Sequence, residues 1–350
     1  MEKYQLQVKD IIQETNDSIS IVFENELTKP IHYKAGQFLT LEIPMGKENL
    51  RRAYSLASAP SVDKNLKITV KRVDNGKVSN LLNDTLQIGD YLNVLEPMGV
   101  FTPELSPQNN KTYLLWASGS GITPILSILK EILHIEPFSK ILLVYANRNE
   151  NSIIFKEELD FLVKQYPEKL SVLHVLSQPQ SDWADFVGRL DEAKVKLILQ
   201  DFISQKNSIS QWMCGVEGIM QTITNTSEAL GFEKPYKENF FAAIEESAQE
   251  VAQKSGKELR NRHIKVKYDG EIHEITIKPE QSILEAALEA DIQLPYSCQS
   301  GLCTACMGKC TAGSVLMTED DCLTDDELKK GFILTCVAYP TSDDVFIEVD

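Results

Sequence analysis

Alternating apolar and polar residues in the first third of the chain predict short β-strands. The clearest runs are Leu6–Val8, Ile19–Phe23, Phe38–Ile43 and Leu66–Val70. Alternation with a period of two is typical of strands that bury one face, and glycines between the runs indicate turns. We therefore expect a small antiparallel β-barrel over residues 1–108.

Apolar runs in the middle of the chain predict a second kind of domain. These runs, which suit buried parallel strands, are Tyr113–Ala117, Ile141–Tyr145, Val172–Leu176 and Gln211–Met213. Residues after Gly121 place apolar side chains at helical spacing, and Pro124 suits a first helical turn. We expect an α/β domain with a parallel sheet over residues 109–242.

The last part of the chain predicts a linker followed by a small α+β domain. Residues 243–262 are rich in Glu, Lys, Gln, Ser and Ala, as in a partly helical linker. Alternating runs on both sides of Asp269-Gly270 predict a hairpin. Ser282 and Glu285 have the spacing of a capping box at the start of a helix. We place this domain at residues 263–350.

Charge and hydropathy exclude several classes of partner. The formal net charge at pH 7 is −16, and residues 263–350 alone contain 17 acidic and 6 basic residues. Such a chain lacks the surplus cations that bind nucleic acid or anionic membranes, but its acidic domain can meet a basic protein surface. No run approaches the roughly 20 apolar residues of a membrane span, and no signal peptide is evident. We expect a cytoplasmic protein with neither nucleic acid nor membrane as partner.

Six of the seven cysteines lie in the last 53 residues. Four of them have the spacing C-x4-C-x2-C-x29-C, namely Cys298, Cys303, Cys306 and Cys336. This is the plant-type spacing for a [2Fe–2S] cluster, in which one loop supplies three thiolates and a distant segment the fourth. A zinc site usually contains two C-x2-C pairs, and a thioredoxin-like pair needs a βαβ context. Cys310 and Cys322 fall outside the pattern, and we expect them to be small core residues.

The motifs resemble those of a known superfamily. Arg52-Ala53-Tyr54-Ser55 resembles the R-x-Y-S flavin motif of ferredoxin–NADP reductases, and Gly119–Pro124 resembles their G-x-G-x-T-P nucleotide motif. Gly99-Val100-Phe101 matches a further signature, while Pro295–Cys306 and Leu334–Pro340 resemble plant-type ferredoxins, whose fold is the β-grasp. The order of domains is similar to that of reductase components of multicomponent oxygenases, in particular the reductase subunits of phenylacetyl-CoA ring epoxidases.

The resemblance implies a flavin site, with FAD as the usual flavin of the family. Arg52 can pair with the flavin phosphates, and Tyr54, after Ala53, can pack against the isoalloxazine. Ser55, a predicted catalytic residue, can hydrogen-bond near flavin N5, where hydride arrives. Gly76-Lys77-Val78-Ser79 precedes a predicted helix whose N-terminus could hold a flavin phosphate. Packing of Tyr and Ser in a strand, and an ordinary N-cap by Ser79, are the alternatives.

The resemblance also implies a nicotinamide site. Gly119 and Gly121 let the backbone approach a pyrophosphate, and Thr123 would contact the nicotinamide end. Cys214, with Gly215 after it, would lie near nicotinamide C4 as a second catalytic residue. The alternatives are a plain glycine turn and a small buried thiol.

Two further residues are assigned to these sites. Arg148 follows the second parallel strand, where an arginine can accommodate a 2′-phosphate, so we expect NADPH ahead of NADH. Phe240, in the segment that resembles the E-x-F ending of the family, would cover the flavin face. An unliganded surface arginine and a core phenylalanine are the alternatives.

Together these features predict a reductase that passes electrons from NADPH through FAD to its own [2Fe–2S] cluster. The resemblance implies an oxygenase as the acceptor, namely the di-iron component of phenylacetyl-CoA epoxidase, and hence a role in phenylacetate catabolism. A desaturase, another oxygenase or a soluble carrier is the alternative acceptor. A non-enzymatic redox sensor is the alternative of a different class.

Overall fold

The computed structural model describes residues 2–25, 30–45, 48–202, 208–238, 248–299, 301, 303–320 and 323–349. The chain divides into two compact units, Glu2–Phe241 and Ala242–Asp350. We call them the first and the second unit and describe each by itself. Within the described ranges, no helix is both long enough and apolar enough to cross a bilayer.

The first unit begins with an antiparallel barrel. Its elements are β1 (Lys3–Thr15), β2 (Ser18–Phe23), β3 (Phe38–Met45), β4 (Glu48–Ser55), β5 (Leu66–Lys71), α1 (Lys77–Thr85) and β6 (Tyr91–Leu95). The strands pair in the order β4-β3-β6-β1-β2-β5, always antiparallel. A bridge between Leu56 and Ile68 joins the two ends of this order. Alternate side chains fill the interior, as their periodicity predicts.

The first unit continues with a parallel sheet between two layers of helices. Its elements are β7 (Thr112–Ser118), α2 (Ile122–Ile135), β8 (Lys140–Asn147), α3 (Lys156–Gln165), β9 (Leu170–Leu176), β10 (Phe186–Val187), α4 (Glu192–Gln200), β11 (Ile209–Cys214), α5 (Glu217–Ala229) and β12 (Tyr236–Glu238). The order is β10-β9-β8-β7-β11-β12, with all neighbours parallel. Helices α2 and α3 share one core with the sheet, and α4 and α5 share the other.

The second unit is an α+β domain. Its elements are α6 (Ala248–Lys254), β13 (Arg262–Tyr268), β14 (Glu271–Ile277), α7 (Ile283–Glu289), β15 (Met307–Ala312), β16 (Val315–Met317), α8 (Asp325–Lys329), β17 (Phe332–Leu334), β18 (Ala338–Pro340) and β19 (Phe346–Val349). Five strands form a mixed sheet in the order β14-β13-β19-β15-β17, and β16 pairs with β18. Helix α7 packs on this sheet and buries Ile283 and Leu284.

Most local predictions agree with these elements. The antiparallel, parallel and α+β architectures are confirmed, as are the hairpin at Asp269-Gly270 and the capping box of Ser282 with Glu285. One alternative is wrong: Ser79 does not cap α1, because the helix begins at Lys77 and its N-cap is Gly76. The Ser79 hydroxyl instead accepts a hydrogen bond from the Val73 N–H at 3.1 Å.

The two cysteines outside the ligand pattern have different outcomes. Cys310 is only half-buried and packs at the margin of the core of the second unit, so it is not fully a core residue as expected. Cys322 lies outside the described residues.

Candidate functional site

A cavity of about 540 Å³ lies between the barrel and the parallel sheet of the first unit. The predicted flavin and nicotinamide segments meet at this cavity. Its lining residues include Arg52, Ala53, Tyr54, Ser55, Gly76, Lys77, Val78, Ser79, Gly119, Gly121, Thr123, Cys214 and Gly215. Six further residues of the lining were not predicted as site residues from the sequence, namely Thr69, Lys71, Arg72, Val73, Ser118 and Val216.

Strand β4 supplies one wall of this cavity. Ser55 is buried at 4% exposure, and its hydroxyl has no hydrogen-bond partner among the described residues. Tyr54 is half-buried, and burial raises the pKa of its hydroxyl to about 12. Arg52 is exposed and donates to the Arg51 carbonyl oxygen at 2.7 Å. A buried hydroxyl without a partner fits a ligand that brings its own hydrogen-bonding atom.

The N-terminus of α1 supplies a place for negative charge. Gly76 makes no side-chain cap, and the first turn contains no acidic residue. The N–H groups of this turn are therefore available to an anion. Among its described residues the lining contains four basic side chains and no carboxylate, the basic ones being Arg52, Lys71, Arg72 and Lys77. This donor set fits the pyrophosphate of a flavin dinucleotide.

The opposite wall is the turn between β7 and α2. Gly119 has φ +53°, in the left-handed region that favours glycine. A Cβ atom on Gly121 would lie 2.2 Å from the Cys214 carbonyl oxygen, so only glycine lets the turn pack against the end of β11. The Thr123 hydroxyl donates to the Ser120 carbonyl oxygen at 2.9 Å, which holds the turn against the start of α2.

Cys214 ends β11 and is 2% exposed. Burial, with a smaller contribution from the charge of Glu238, raises the pKa of its thiol well above the usual range. The side chain is therefore a neutral thiol that can contact a ligand, and it is not poised as a thiolate nucleophile. The predicted contribution of Phe240 lies outside the described residues.

A second cavity, of about 1130 Å³, adjoins the first. Arg148 lines it and is exposed, in agreement with its predicted place after β8, and Arg189 lines it as well. The buried side-chain nitrogen of Asn147 has no partner within the described part of the chain. Lys71 and Arg72 line both cavities. Sequence reasoning missed three basic residues, Arg189, Lys71 and Arg72. For Lys71 and Arg72, the available signal was a basic pair at the end of β5.

The four predicted cluster ligands lie together in the second unit. The sulfur atoms of Cys298 and Cys303 are 3.2 Å apart, and those of Cys306 and Cys336 are 3.3 Å apart. The Cys336 thiol also interacts with Cys298, so the four sulfur atoms form one group, as the ligands of a single cluster must. The Thr335 N–H and hydroxyl each donate to the Cys306 carbonyl oxygen at 3.0 Å, which ties the distant ligand segment to the loop.

Comparison with protein families gives three matches that follow one another along the chain. Residues 5–102 match the oxidoreductase FAD-binding domain, residues 115–225 the oxidoreductase NAD-binding domain, and residues 266–341 the 2Fe-2S iron-sulfur cluster binding domain. The predicted FAD and [2Fe–2S] cofactors, with a nicotinamide nucleotide, are thus confirmed at the level of the family.

Full-length relatives have the same organisation. The ferredoxin reductase component of 3-ketosteroid-9-alpha-monooxygenase from Rhodococcus rhodochrous is 36% identical, over 98% of this chain and 96% of the relative. One of the subunits of 1,2-phenylacetyl-CoA epoxidase from Escherichia coli (strain K12) is 31% identical, over 99% of this chain and 98% of the relative.

Solved structures support the fold. The structure of phthalate dioxygenase reductase is 24% identical and superposes with a TM-score of 0.61, over 99% of this chain and 98% of that one. The chain belongs to the ferredoxin–NADP reductase superfamily, as one of its NAD(P)H-dependent FAD reductases with a C-terminal plant-type [2Fe–2S] ferredoxin domain.

Proposed function

We propose that this reductase takes hydride from NADPH in the first unit and delivers single electrons from the second unit to an oxygenase component. The observation that carries the proposal is the pair of adjoining cavities, which bring the flavin and nucleotide motifs to one place. Bound FAD would accept an electron pair and release it one electron at a time, as a one-electron cluster requires.

The residues of this chain would bind and orient the reactants. Lys77 and the first turn of α1 would hold the flavin pyrophosphate, and the Ser55 hydroxyl would hydrogen-bond near N5. Gly121 and Thr123 would place the nicotinamide against the flavin, with the Cys214 thiol beside C4. Because this step needs no general acid or base, positioning would account for the catalysis.

Arg148 supports the choice of NADPH. Its exposed guanidinium makes no ion pair with any described residue, and Arg189 lines the same cavity. Two guanidinium groups can bind a 2′-phosphate through charge-assisted hydrogen bonds. NADH lacks this phosphate and would gain nothing from either side chain.

The test of nucleotide preference is the ratio of kcat/KM for NADPH to that for NADH. Arg148→Ala should lower the ratio about 10- to 100-fold, since a charge-assisted hydrogen bond contributes about 1.5–3 kcal/mol. Arg260→Ala, which changes an exposed arginine paired with Asp343 in the second unit, is the matched control. An unchanged ratio in the Arg148 variant would refute the 2′-phosphate role.

The acceptor we propose is the di-iron component of phenylacetyl-CoA epoxidase, with the oxygenase of the 3-ketosteroid system as second candidate. The two relatives described above support these choices. The excess of acidic residues in the second unit suits a basic docking face. Reconstitution with each purified oxygenase component, scored by substrate oxidation, tests this. Turnover only with a desaturase or a soluble carrier would overturn the choice of an oxygenase.

A further inference from the structure

A group of polar contacts joins the barrel to helices α2 and α3 inside the first unit. Lys130 contacts Asp63 at 2.8 Å and Glu158 at 2.7 Å, and Lys67 contacts Glu158 at 2.7 Å. The Ser61 N–H donates to the Glu131 carboxylate at 3.2 Å. We call these residues together the interdomain clasp, with Ser61, Asp63 and Lys67 on the barrel side.

The clasp is more sheltered than an ordinary surface ion pair. The side chain of Lys130 is 8% exposed and that of Lys67 is 13% exposed, whereas typical surface pairs are open to water. Burial opposes the charge of Lys130, but the carboxylates of Glu158 and Asp63 outweigh it and raise its pKa. Removal of one partner from such a group leaves the remaining sheltered charge uncompensated, which is destabilising.

A second contact fixes the start of α3 to the barrel. The Glu14 carboxylate of β1 accepts a hydrogen bond from the Phe155 N–H at 3.3 Å. Phe155 has φ +61°, a left-handed conformation that a bulky residue adopts only where its surroundings enforce it. The Lys67 ammonium lies 4.8 Å from the centre of the Phe155 ring. The barrel thus holds both the side chain and the N–H at the N-cap of this helix.

The clasp connects the two walls of the flavin cavity. The barrel segment 58–67 begins three residues after Ser55, and the Ser127 hydroxyl donates to the Ser58 carbonyl oxygen at 2.6 Å. Helix α2 begins directly after Gly121 and contains Lys130, so the helix connects Lys130 to the turn that forms the nicotinamide wall. A movement of α2 relative to segment 58–67 would therefore change the distance between the flavin wall and the nicotinamide wall.

We propose that Lys130, through Asp63 and Glu158, is a positioning residue for hydride transfer. It holds the nucleotide wall at the distance from the flavin wall at which the nicotinamide reaches N5. The inference rests on the proposed function, because it needs both ligands in this cavity. Reacting atoms must approach to about 3–3.5 Å, and an error of 1 Å can cost about 100-fold in rate.

The main test is anaerobic stopped-flow reduction of the flavin by NADPH. Lys130→Met keeps the aliphatic stem and should lower the saturating rate about 10- to 100-fold. The Kd for NADPH should change less than about threefold, since the second cavity is unaltered. The primary isotope effect on this rate, measured with NADPH deuterated at the transferred position, should differ between Lys130→Met and the wild-type protein. Lys130→Arg, which keeps the charge, should recover part of the rate.

Two controls separate positioning from stability. Lys156→Met removes a lysine of α3 that is 40% exposed and pairs with Asp160 outside the clasp, and it should leave the rate and the isotope effect unchanged. Asp63→Asn breaks the clasp from the barrel side and should reproduce the kinetic effect of Lys130→Met. It also keeps the test decisive where the lysine variant fails to fold.

A readout without bound cofactor uses hydrogen exchange. In protein stripped of flavin, Lys130→Met should speed exchange of the backbone amides in segment 58–67 and the first turn of α3. An unchanged saturating rate per bound flavin, in variants whose exchange is faster, would overturn the positioning role. If NADPH fails to reduce the flavin of the wild-type protein, that result refutes the proposed function separately. In that case, unchanged hydrogen exchange of the backbone amides in Lys130→Met would overturn the clasp as well.

Discussion

Replacement of Ser55 by alanine should have opposite effects on the apoprotein and on the flavin-bound protein. The Ser55 hydroxyl is buried without a partner among the described residues. Burial of an unpaired polar group costs about 1–3 kcal/mol. Ser55→Ala removes that cost, so the free energy of unfolding of the apoprotein should rise by about 1 kcal/mol.

The sign should reverse when flavin is bound. If the hydroxyl donates to the flavin as proposed, its loss removes a hydrogen bond with a net contribution of about 1 kcal/mol. Because alanine also stabilises the apoprotein that binding starts from, the two contributions add to about 2 kcal/mol, and flavin affinity should fall about 30-fold, at 1.4 kcal/mol per factor of ten.

Denaturant titration with and without flavin measures both effects. All three tryptophans of the chain fall within residues 2–241, so their fluorescence reports unfolding of the first unit. Ser58→Ala is the matched control, because this fully buried hydroxyl accepts hydrogen bonds from the Tyr33 hydroxyl at 2.8 Å and the Lys67 N–H at 3.0 Å. It should destabilise both states. Equal destabilisation of the apoprotein by both variants would refute the reasoning.

Three further outcomes are expected. Gly121→Ala should destabilise the first unit by about 1–3 kcal/mol or more, since its Cβ would overlap backbone atoms. Gly218→Ala, which has open space around the added Cβ and a helical backbone, should stabilise the same unit by about 0.5–1 kcal/mol. Both are read from urea titrations, and equal effects would contradict the packing argument. Burial lowers the pKa of His174 from 6.5. The unfolded chain therefore takes up the proton first as pH falls below 6.5, so Tm should decline there and His174→Asn should flatten the decline. Cys336→Ser should lose most bound iron and sulfide by elemental analysis while Cys310→Ser keeps them, and equal loss would refute the ligand assignment.

Local structure was predictable wherever neighbouring residues determine it. Asp269 and Gly270 both adopt positive φ, as a two-residue hairpin turn demands, and Ser282 with Glu285 caps α7 reciprocally. Each of these patterns needs only a few consecutive residues. The architecture of the three regions was predictable for the same reason, since burial of alternate or helical positions is written locally in the sequence.

Contacts between distant segments that no sequence motif marks were not predictable. Nothing near Lys130 in the sequence indicates that Asp63 lies against it, because the pairing depends on how the barrel packs on α2. The start of α1 was displaced because Ser79 bonds back to Val73 instead of capping the helix. The cluster ligands were predictable as a set, because one motif contains all four, but the distances between their sulfur atoms required the three-dimensional structure.

Lys71 and Arg72 belong to the lining of both cavities, which has a thermodynamic consequence. Any anionic ligand that recruits one of these cations changes the electrostatic potential felt by a ligand in the neighbouring cavity. Thermodynamic linkage requires this influence to be mutual, so each ligand changes the affinity of the other by the same factor. Occupancy of one cavity is therefore coupled to occupancy of the other through the two shared cations, even where the ligands themselves do not touch.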